Sequence, residues 1–463
     1  MINNSDMKIK KIRYLCLPII MIFSLLSFSQ EINENWYFGD KAAVNFDSGS
    51  PVSVNGSQMD TTEGVATISD DLGQLLFYSD GRRVWDASHT IMPNGSSLSG
   101  SGHDYVQGVV IVPFPNHPNE YFIFTSNGAE DFVAYSKIDM TQNNGLGDVV
   151  ELNTPLLDDA GTTVWFGQDV QAITAVSIGQ DYRIVLPHRN RLLTYLVDNT
   201  GVTVTPIQSQ IDFVLGHISQ IKISPNNDYL AISDWTYKKT SIYHYNNNLG
   251  QVQSSIPLAI IQATSNSVDH NIYSAEFTSD SQYLWLTTFE ARLLFAIDMN
   301  NLSNTPTIID PNPIFTLCSI QRGIDNELYI STESNDYLSK LNNADNPSIA
   351  SFIENDVFLG GNFCKKGLPQ LVPIPGDGGS CPENLVLDIF ETSTNILYET
   401  SNSITTTQNY GVGVGQNVTL SAGNYIDMLP HTDIQTGSVF LAKIEGCTPF
   451  VNFSLNNPLC IMI

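Results

Sequence analysis

Positive charge is scarce in this chain. Lysine and arginine total 20 among 463 residues, against 47 aspartates and glutamates, and charged residues make up only 14%. A net charge of −27 repels phosphate backbones and anionic lipid, so nucleic acid is set aside as a partner. Cys-x-x-Cys is absent, which removes zinc ribbons and dithiol redox pairs. No stretch keeps a helical period beyond a turn or two, which argues against bundles and doubly wound sheets. No long apolar run follows residue 28, so the mature chain has no integral membrane span. Gly-x-Ser-x-Gly, His-Glu-x-x-His, the P-loop pattern and the EF-hand loop are missing too.

What is present begins with a leader. Lys8, Lys10, Lys11 and Arg13 precede an apolar run over 14–28, then Ser29-Gln30-Glu31. That order predicts a signal peptide over 1–30, cleaved near Gln30, and a secreted or cell-surface protein. A membrane anchor is the plainer alternative, but Pro18 interrupts the run, which is short of the roughly 20 residues of a span. Cys16 lies too early to be a lipidated first residue. The leader takes four basic residues and Asp6 from the totals of 20 and 47, leaving 16 and 46. Bound Ca²⁺ is compatible with that acidity, as is plain solubility, and no cofactor is implied. Hydrophobic residues at 42% suffice for a core. Export permits disulfides: Cys381 with Cys447 would close a C-terminal domain, Cys318 with Cys364 is a second candidate pair, and Cys460 is left over.

One unit recurs. At 63–86, Val65-Ala66-Thr67-Ile68-Ser69, Leu75-Leu76-Phe77-Tyr78 and Val84-Trp85-Asp86 read as three strands, joined by Asp-Leu-Gly and Asp80-Gly81 turns. Weaker copies start near 107, 171, 221, 275 and 320, at intervals of about 45 to 65 residues, the range of propeller blades. A blade cannot bury both faces alone, so the ring must close. The strand-like pieces at 35–46 and the segment Gly367-Leu368-Pro369-Gln370-Leu371-Val372-Pro373 are expected to join into a composite blade. The expectation is an all-β chain: a seven-bladed β-propeller over 31–373, with six or eight blades open. A Pro/Gly linker at 374–380, a small β-hairpin-stack domain at 381–447 and a tail at 448–463 follow.

Candidate chemistry is sparse. Gly411-Val412-Gly413-Val414-Gly415 neither follows a buried parallel strand nor opens a helix, so it reads as a flexible hairpin rather than a phosphate loop. Asp70-Asp71, Glu130-Asp131 and Asp158-Asp159 fall at predicted turns, where aspartate caps backbone amides more often than it catalyses. A positional pattern is more specific. Glu63, Gln107, Gln171, Gln220, Ser274 and Ser319 stand near the starts of the innermost strands, with His103, His217 and His270 just upstream of three of them. With Arg322 they form the candidate ligand site at one opening of the channel. Their plainer role is to hydrogen-bond neighbouring blades.

Two regions resemble known families. Asn35-Trp36-Tyr37-Phe38-Gly39, the 63–86 unit and Lys366-Gly367-Leu368-Pro369-Gln370 resemble the propeller-type region, with WD40/YVTN-like repeats, of secreted Bacteroidetes surface proteins, often cargo of the type IX secretion system. Residues 398–404, 422–430 and 437–444 look like the three-coathanger-stack module of the same organisms, with His431-Thr432 where Gly-Phe is usual. The blade repeat, the leader and the lack of a catalytic signature point to an exported, non-enzymatic binding protein whose partner is an extracellular glycan or protein. The alternative is a propeller hydrolase or lyase acting on an extracellular carbohydrate or lactone, since the fold alone does not decide.

Overall fold

The computed structural model describes residues 30–444, apart from 101–104, 127–131, 165–171, 204, 212–217, 375–383, 388–389, 391–394, 401 and 431. No helix among them is long and apolar enough to cross a membrane. Seven antiparallel sheets follow one another along the chain, and each is a blade of a β-propeller. The first is Asn35–Phe38, Ala42–Asn45 and Val52–Ser53; the second is Ala66–Ser69, Leu75–Ser79 and Val84–Asp86. The inner strands of the other five are Val109–Pro113, Thr174–Ile178, Ile218–Ile223, Ile272–Phe277 and Leu317–Arg322.

The strands read as near-continuous apolar runs because each blade is covered on both faces. One core cluster joins Ala231 and Ile242 of the fifth blade to Ile272, Phe277 and Leu284 of the sixth; another joins Trp285 of the sixth to Leu317, Ile320 and Leu328 of the seventh. Fully burying one such side chain contributes about 1.5–3 kcal/mol, so blade-to-blade contact is the main stabilising term. The seam follows the same rule. Trp36 of the first blade packs 5.0 Å from Phe46 and 6.0 Å from Tyr329 of the seventh, ring centre to ring centre. Residues 363–372 complete the closure. Asp40 N donates to Phe363 O at 2.9 Å, and Asn33 exchanges side-chain bonds with the Val372 backbone at 2.7 and 2.9 Å. The N-terminal strands and the Leu-Pro segment thus meet, and the ring has seven blades.

The paired acids cap turns. Asp70 Oδ1 accepts from Leu72 N and Gln74 N at 2.9 and 2.8 Å, and Asp158 Oδ1 accepts from Ala160 N and Thr162 N at 3.0 and 2.9 Å. Glu130-Asp131 lies outside the described residues. The candidate Cys318–Cys364 disulfide is corrected: both are free, buried thiols. Cys364 Sγ–H donates to Thr332 O at 2.9 Å and Cys318 is directed toward Thr316 O at 3.6 Å, so each sulfur is satisfied in its own place. Burial raises both thiols above the usual cysteine range. Cys381, Cys447 and Cys460 lie outside the described residues.

The C-terminal unit differs from the hairpins expected. Its strands pair in parallel: Asn384–Leu387 with Ser403–Thr406 and then Tyr425–Met428, and Asn395–Thr400 with Asn417–Ala422 and then Val439–Ile444. Partners step by 22 residues, from 403 to 425, 411 to 433 and 417 to 439. It is a short parallel solenoid of three rungs around Leu387, Ile404, Tyr410, Val412, Val418 and Leu420. Short apolar strands between turns look alike in hairpins and rungs; the repeat length separates them. Gly411-Val412 is one side of a rung, buried in that core.

Candidate functional site

In each blade the chain runs along the inner strand away from one face, turns, and returns. The starts of the inner strands, the links between blades and the turns joining second to third strands therefore share one face, called here the mouth face. Gln107 lies two residues before its inner strand and is buried. Its Oε1 accepts from Ile221 N of the fifth blade at 2.7 Å, and its Nε2 reaches Gln370 Oε1 at 3.4 Å. Gln370, from the closing segment, donates to Val109 O at 3.1 Å and Ile173 O at 2.8 Å. Gln220 Oε1 accepts from Ser274 Oγ at 2.7 Å and from Ala275 N, and Ser274 Oγ in turn accepts from Ile320 N at 3.0 Å. Ser319 N donates to Lys366 O at 3.1 Å.

Deeper along the channel, Lys222 Nζ donates to Glu276 Oε2 at 2.8 Å and to Gln321 Oε1 at 2.9 Å, which ties the fifth, sixth and seventh blades together. These polar groups satisfy one another across the ring, as buried polar groups must. Gln107, Gln220 and Ser274 are thus bonded blade to blade.

Glu63 is buried at the mouth, and its Oε1 accepts from the Tyr273 hydroxyl at 3.0 Å. Burial first, and the Glu63 charge second, push that hydroxyl well above the ordinary tyrosine range, so it keeps its proton and donates. His270 stands apart: its Nε2 pairs with Ser265 Oγ at 2.7 Å on the link between the fifth and sixth blades. Arg322 is placed differently from the expectation. It is the last residue of its inner strand, where Glu63 and Gln107 stand before the start and Gln220, Ser274 and Ser319 in the first half, so it belongs to the opposite end of the channel; its N donates to Glu276 Oε2 at 3.3 Å. His103, Gln171 and His217 lie outside the described residues. No group of three or more His, Cys, Asp or Glu side chains suited to a metal ion occurs among the described residues.

The mouth holds an aromatic cluster that the sequence pattern did not single out. Trp235 meets Tyr273 edge-on at 6.1 Å and Phe289 at 5.5 Å, and Tyr273 stacks on Phe289 at 5.6 Å. Lys366 Nζ sits 5.0 Å from the Phe289 ring centre and 3.9 Å from Glu333. Trp235 and Phe289 are half-buried, and each is the first residue after the second strand of its blade. Aligning Ser233-Asp234-Trp235 with Thr287-Thr288-Phe289 would have found them. The cluster presents flat apolar surface beside a cation and carboxylates, which suits recognition of a ligand with both an apolar face and polar edges.

No family model and no curated protein matches the chain. Solved structures resemble it at low identity. A protein from Lactobacillus plantarum aligns at 9% identity over 73% of this chain and 98% of its own, with a TM-score of 0.47. A protein from Desulfotomaculum acetoxidans aligns at 12% over 74% and 99%, with a TM-score of 0.42. A periplasmic gluconolactonase from Pseudomonas aeruginosa aligns at 12% over 70% and 82%, with a TM-score of 0.38.

Proposed function

We propose that this chain is an exported binding protein that presents the mouth face of its propeller to an extracellular glycan or protein, with the solenoid as a spacer or second contact. The observation that carries this reading is the division of labour at the mouth. The polar groups of the inner strands are taken up in holding blades together, while Trp235 and Phe289 remain half-buried beside Lys366. Glu63, the buried carboxylate at the opening, serves as acceptor for a protonated tyrosine, a fixed structural arrangement rather than a poised acid or base.

The test is to screen the mature chain against immobilised glycans and matrix proteins, then repeat with Trp235→Ala and Phe289→Ala. Loss of the captured partner in both variants, at unchanged melting temperature, supports the reading. Unchanged capture in both, or turnover of a lactone or glycan by the wild type, sinks it.

A further inference from the structure

The few cations of this chain are distributed unequally between the two faces of the propeller. On the mouth face, the turns between second and third strands carry Arg82 and Arg83, then Arg189, then Lys238, then Arg292, in the second, fourth, fifth and sixth blades. In the first blade Lys41 stands in the turn from Asn35–Phe38 to Ala42–Asn45, and its N donates to Met59 O at 2.8 Å on the link into the second blade, which puts it on the same face. Lys365 and Lys366 of the closing segment join them. The turns of the opposite face are at 46–51, 70–74, 87–91, 114–119, 140–147, 179–180, 199–200, 224–228, 247–250, 278–282, 299–306, 323–327 and 343–350. They contain no lysine or arginine. Arg322 stands at the strand end beside the last-but-one of them. Three strand cations reach these turns and are engaged there: Arg183 donates to Asn247 O and Asn248 O, both at 2.8 Å, Lys340 pairs with Glu327 at 3.6 Å, and Lys137 lies 5.8 Å from the Phe114 ring centre and pairs with Glu120.

Backbone conformation makes the placement harder to ascribe to chance. Lys41, Arg189, Lys238 and Arg292 have φ of 61°, 58°, 53° and 56°, the left-handed region where glycine and asparagine are easier. Among the described residues these are all the lysines and arginines with positive φ, and all lie on one face. Left-handed positions in the turns of the opposite face are filled mostly by asparagine and glycine, among them Asn116, Asn119, Asn227, Asn326, Asn343, Gly73 and Gly179, with His89 and Ser281 the other two residue types. A turn that needed only to turn would not use a long cation repeatedly where asparagine serves better.

Some mouth-face cations are already paired: Arg83 with Asp80 at 3.7 Å, Arg191 with Asp159 at 2.9 Å, Lys366 with Glu333, and Lys365 with Asp60. Lys238 and Arg292 donate to backbone carbonyls, of Asp269 at 3.1 Å and of Pro313 and Ile314 at 3.0 and 2.9 Å. Lys41, Arg82 and Arg189 are exposed, with no carboxylate in ion-pair range among the described residues. The same turns carry the aromatics, with Tyr237 45% exposed between Trp235 and Lys238.

We propose that the mouth face binds an acidic polysaccharide, its carboxylate or sulfate groups meeting Lys41, Arg82, Arg189 and Lys238 while sugar rings lie on Trp235 and Phe289. The proposal rests on the reading of this face as the binding surface. Flat rings beside cations suit an acidic sugar better than an acidic peptide, whose backbone has no ring face to stack. The acidity of the rest of the molecule is screened beyond about 8 Å at physiological salt, so these contacts decide affinity.

The experiment compares dextran sulfate and polygalacturonate with neutral dextran and with polyglutamate, using the mature chain and the variant Arg82→Gln/Arg189→Asn/Lys238→Asn. Asparagine relaxes the two left-handed positions, so the variant keeps or gains melting temperature. The expected result is binding of at least one acidic polysaccharide over dextran and polyglutamate, weakened about tenfold in the variant as three charge contacts are lost. Equal binding by the variant, equal binding of dextran or polyglutamate, or no binding of either acidic polysaccharide overturns the proposal. If a neutral glycan or a protein is captured in a Trp235-dependent way while the polyanions are not, the acidic ligand falls and the binding face stands.

Discussion

Replacing Lys222 by methionine tests whether the ring centre is held by a buried charge. Lys222 and Glu276 have side chains 10% and 6% exposed, on the inner strands of the fifth and sixth blades. Glu276 also accepts from Phe277 N at 3.0 Å and Arg322 N at 3.3 Å. Methionine fills the lysine stem but leaves the carboxylate without its counter-charge and takes the donor from Gln321 Oε1. Stranding one partner of a buried pair costs about 3–5 kcal/mol. In a unit of this size, at about 2 °C per kcal/mol, the midpoint should fall by roughly 6–10 °C. Adding Glu276→Gln to that background removes the stranded charge and should recover half or more of the loss. Scanning calorimetry of the two variants beside wild type is the assay. A Lys222→Met midpoint within about 2 °C of wild type, or a double variant less stable than the single, would refute the reasoning.

Gly367→Ala should loosen the seam. A Cβ there would lie 1.7 Å from the Glu63 carbonyl oxygen, a backbone atom with no side chain to yield, so the closing segment must move away from the second blade. The expected loss is about 3 kcal/mol, with new proteolytic cleavage near the seam; an unchanged digestion pattern and midpoint would contradict it. His89→Asn should flatten the stability profile in weak acid. Burial lowers the His89 pKa, partly offset by Asp86, so the unfolded chain takes up the proton more readily. Its contribution is complete above the unfolded value of about 6.5 and is lost as pH falls toward the lowered folded value. The wild-type midpoint should therefore fall more than the variant's between about pH 7 and 5; parallel profiles would count against it. Asparagine suits the left-handed backbone at this position, φ 63°.

The fold was legible because a blade leaves a strong mark on its sequence. Leu75–Ser79, Tyr229–Asp234 and Tyr283–Thr288 are apolar runs bounded by turn residues, at intervals no sandwich needs. Ring closure was legible from what was missing: strands at 35–46 without a partner nearby, and a Leu-Pro segment without a blade. The solenoid was misread as hairpins. Strand length and alternation do not distinguish a strand that pairs with its neighbour from one that pairs 22 residues on, and the polar turns of both look alike. The Cys318–Cys364 pairing failed for a related reason. Proximity along a blade repeat says nothing about where each sulfur points, and each here faces its own carbonyl.

The site was half legible, and the missing half shows why. Polar residues at the inner-strand starts stood out because they interrupt apolar runs, but an amide in a narrow ring has other strands within reach. Gln107 spans from the third blade to the fifth, and Gln370 reaches the third and fourth. A residue prominent against its own strand is for that reason a good candidate for inter-blade bonding. Groups available to a ligand are those the ring does not need, and these sit one step outward, in turns where polar and aromatic residues look ordinary. Trp235, Phe289, Arg189 and Lys238 gain meaning only when the blades are superposed and the turns sorted by face. In a propeller, then, the informative departure is a residue that is costly in its turn and recurs on one face in successive blades: a lysine or arginine at positive φ, where the turns of the other face have none and use mostly asparagine and glycine.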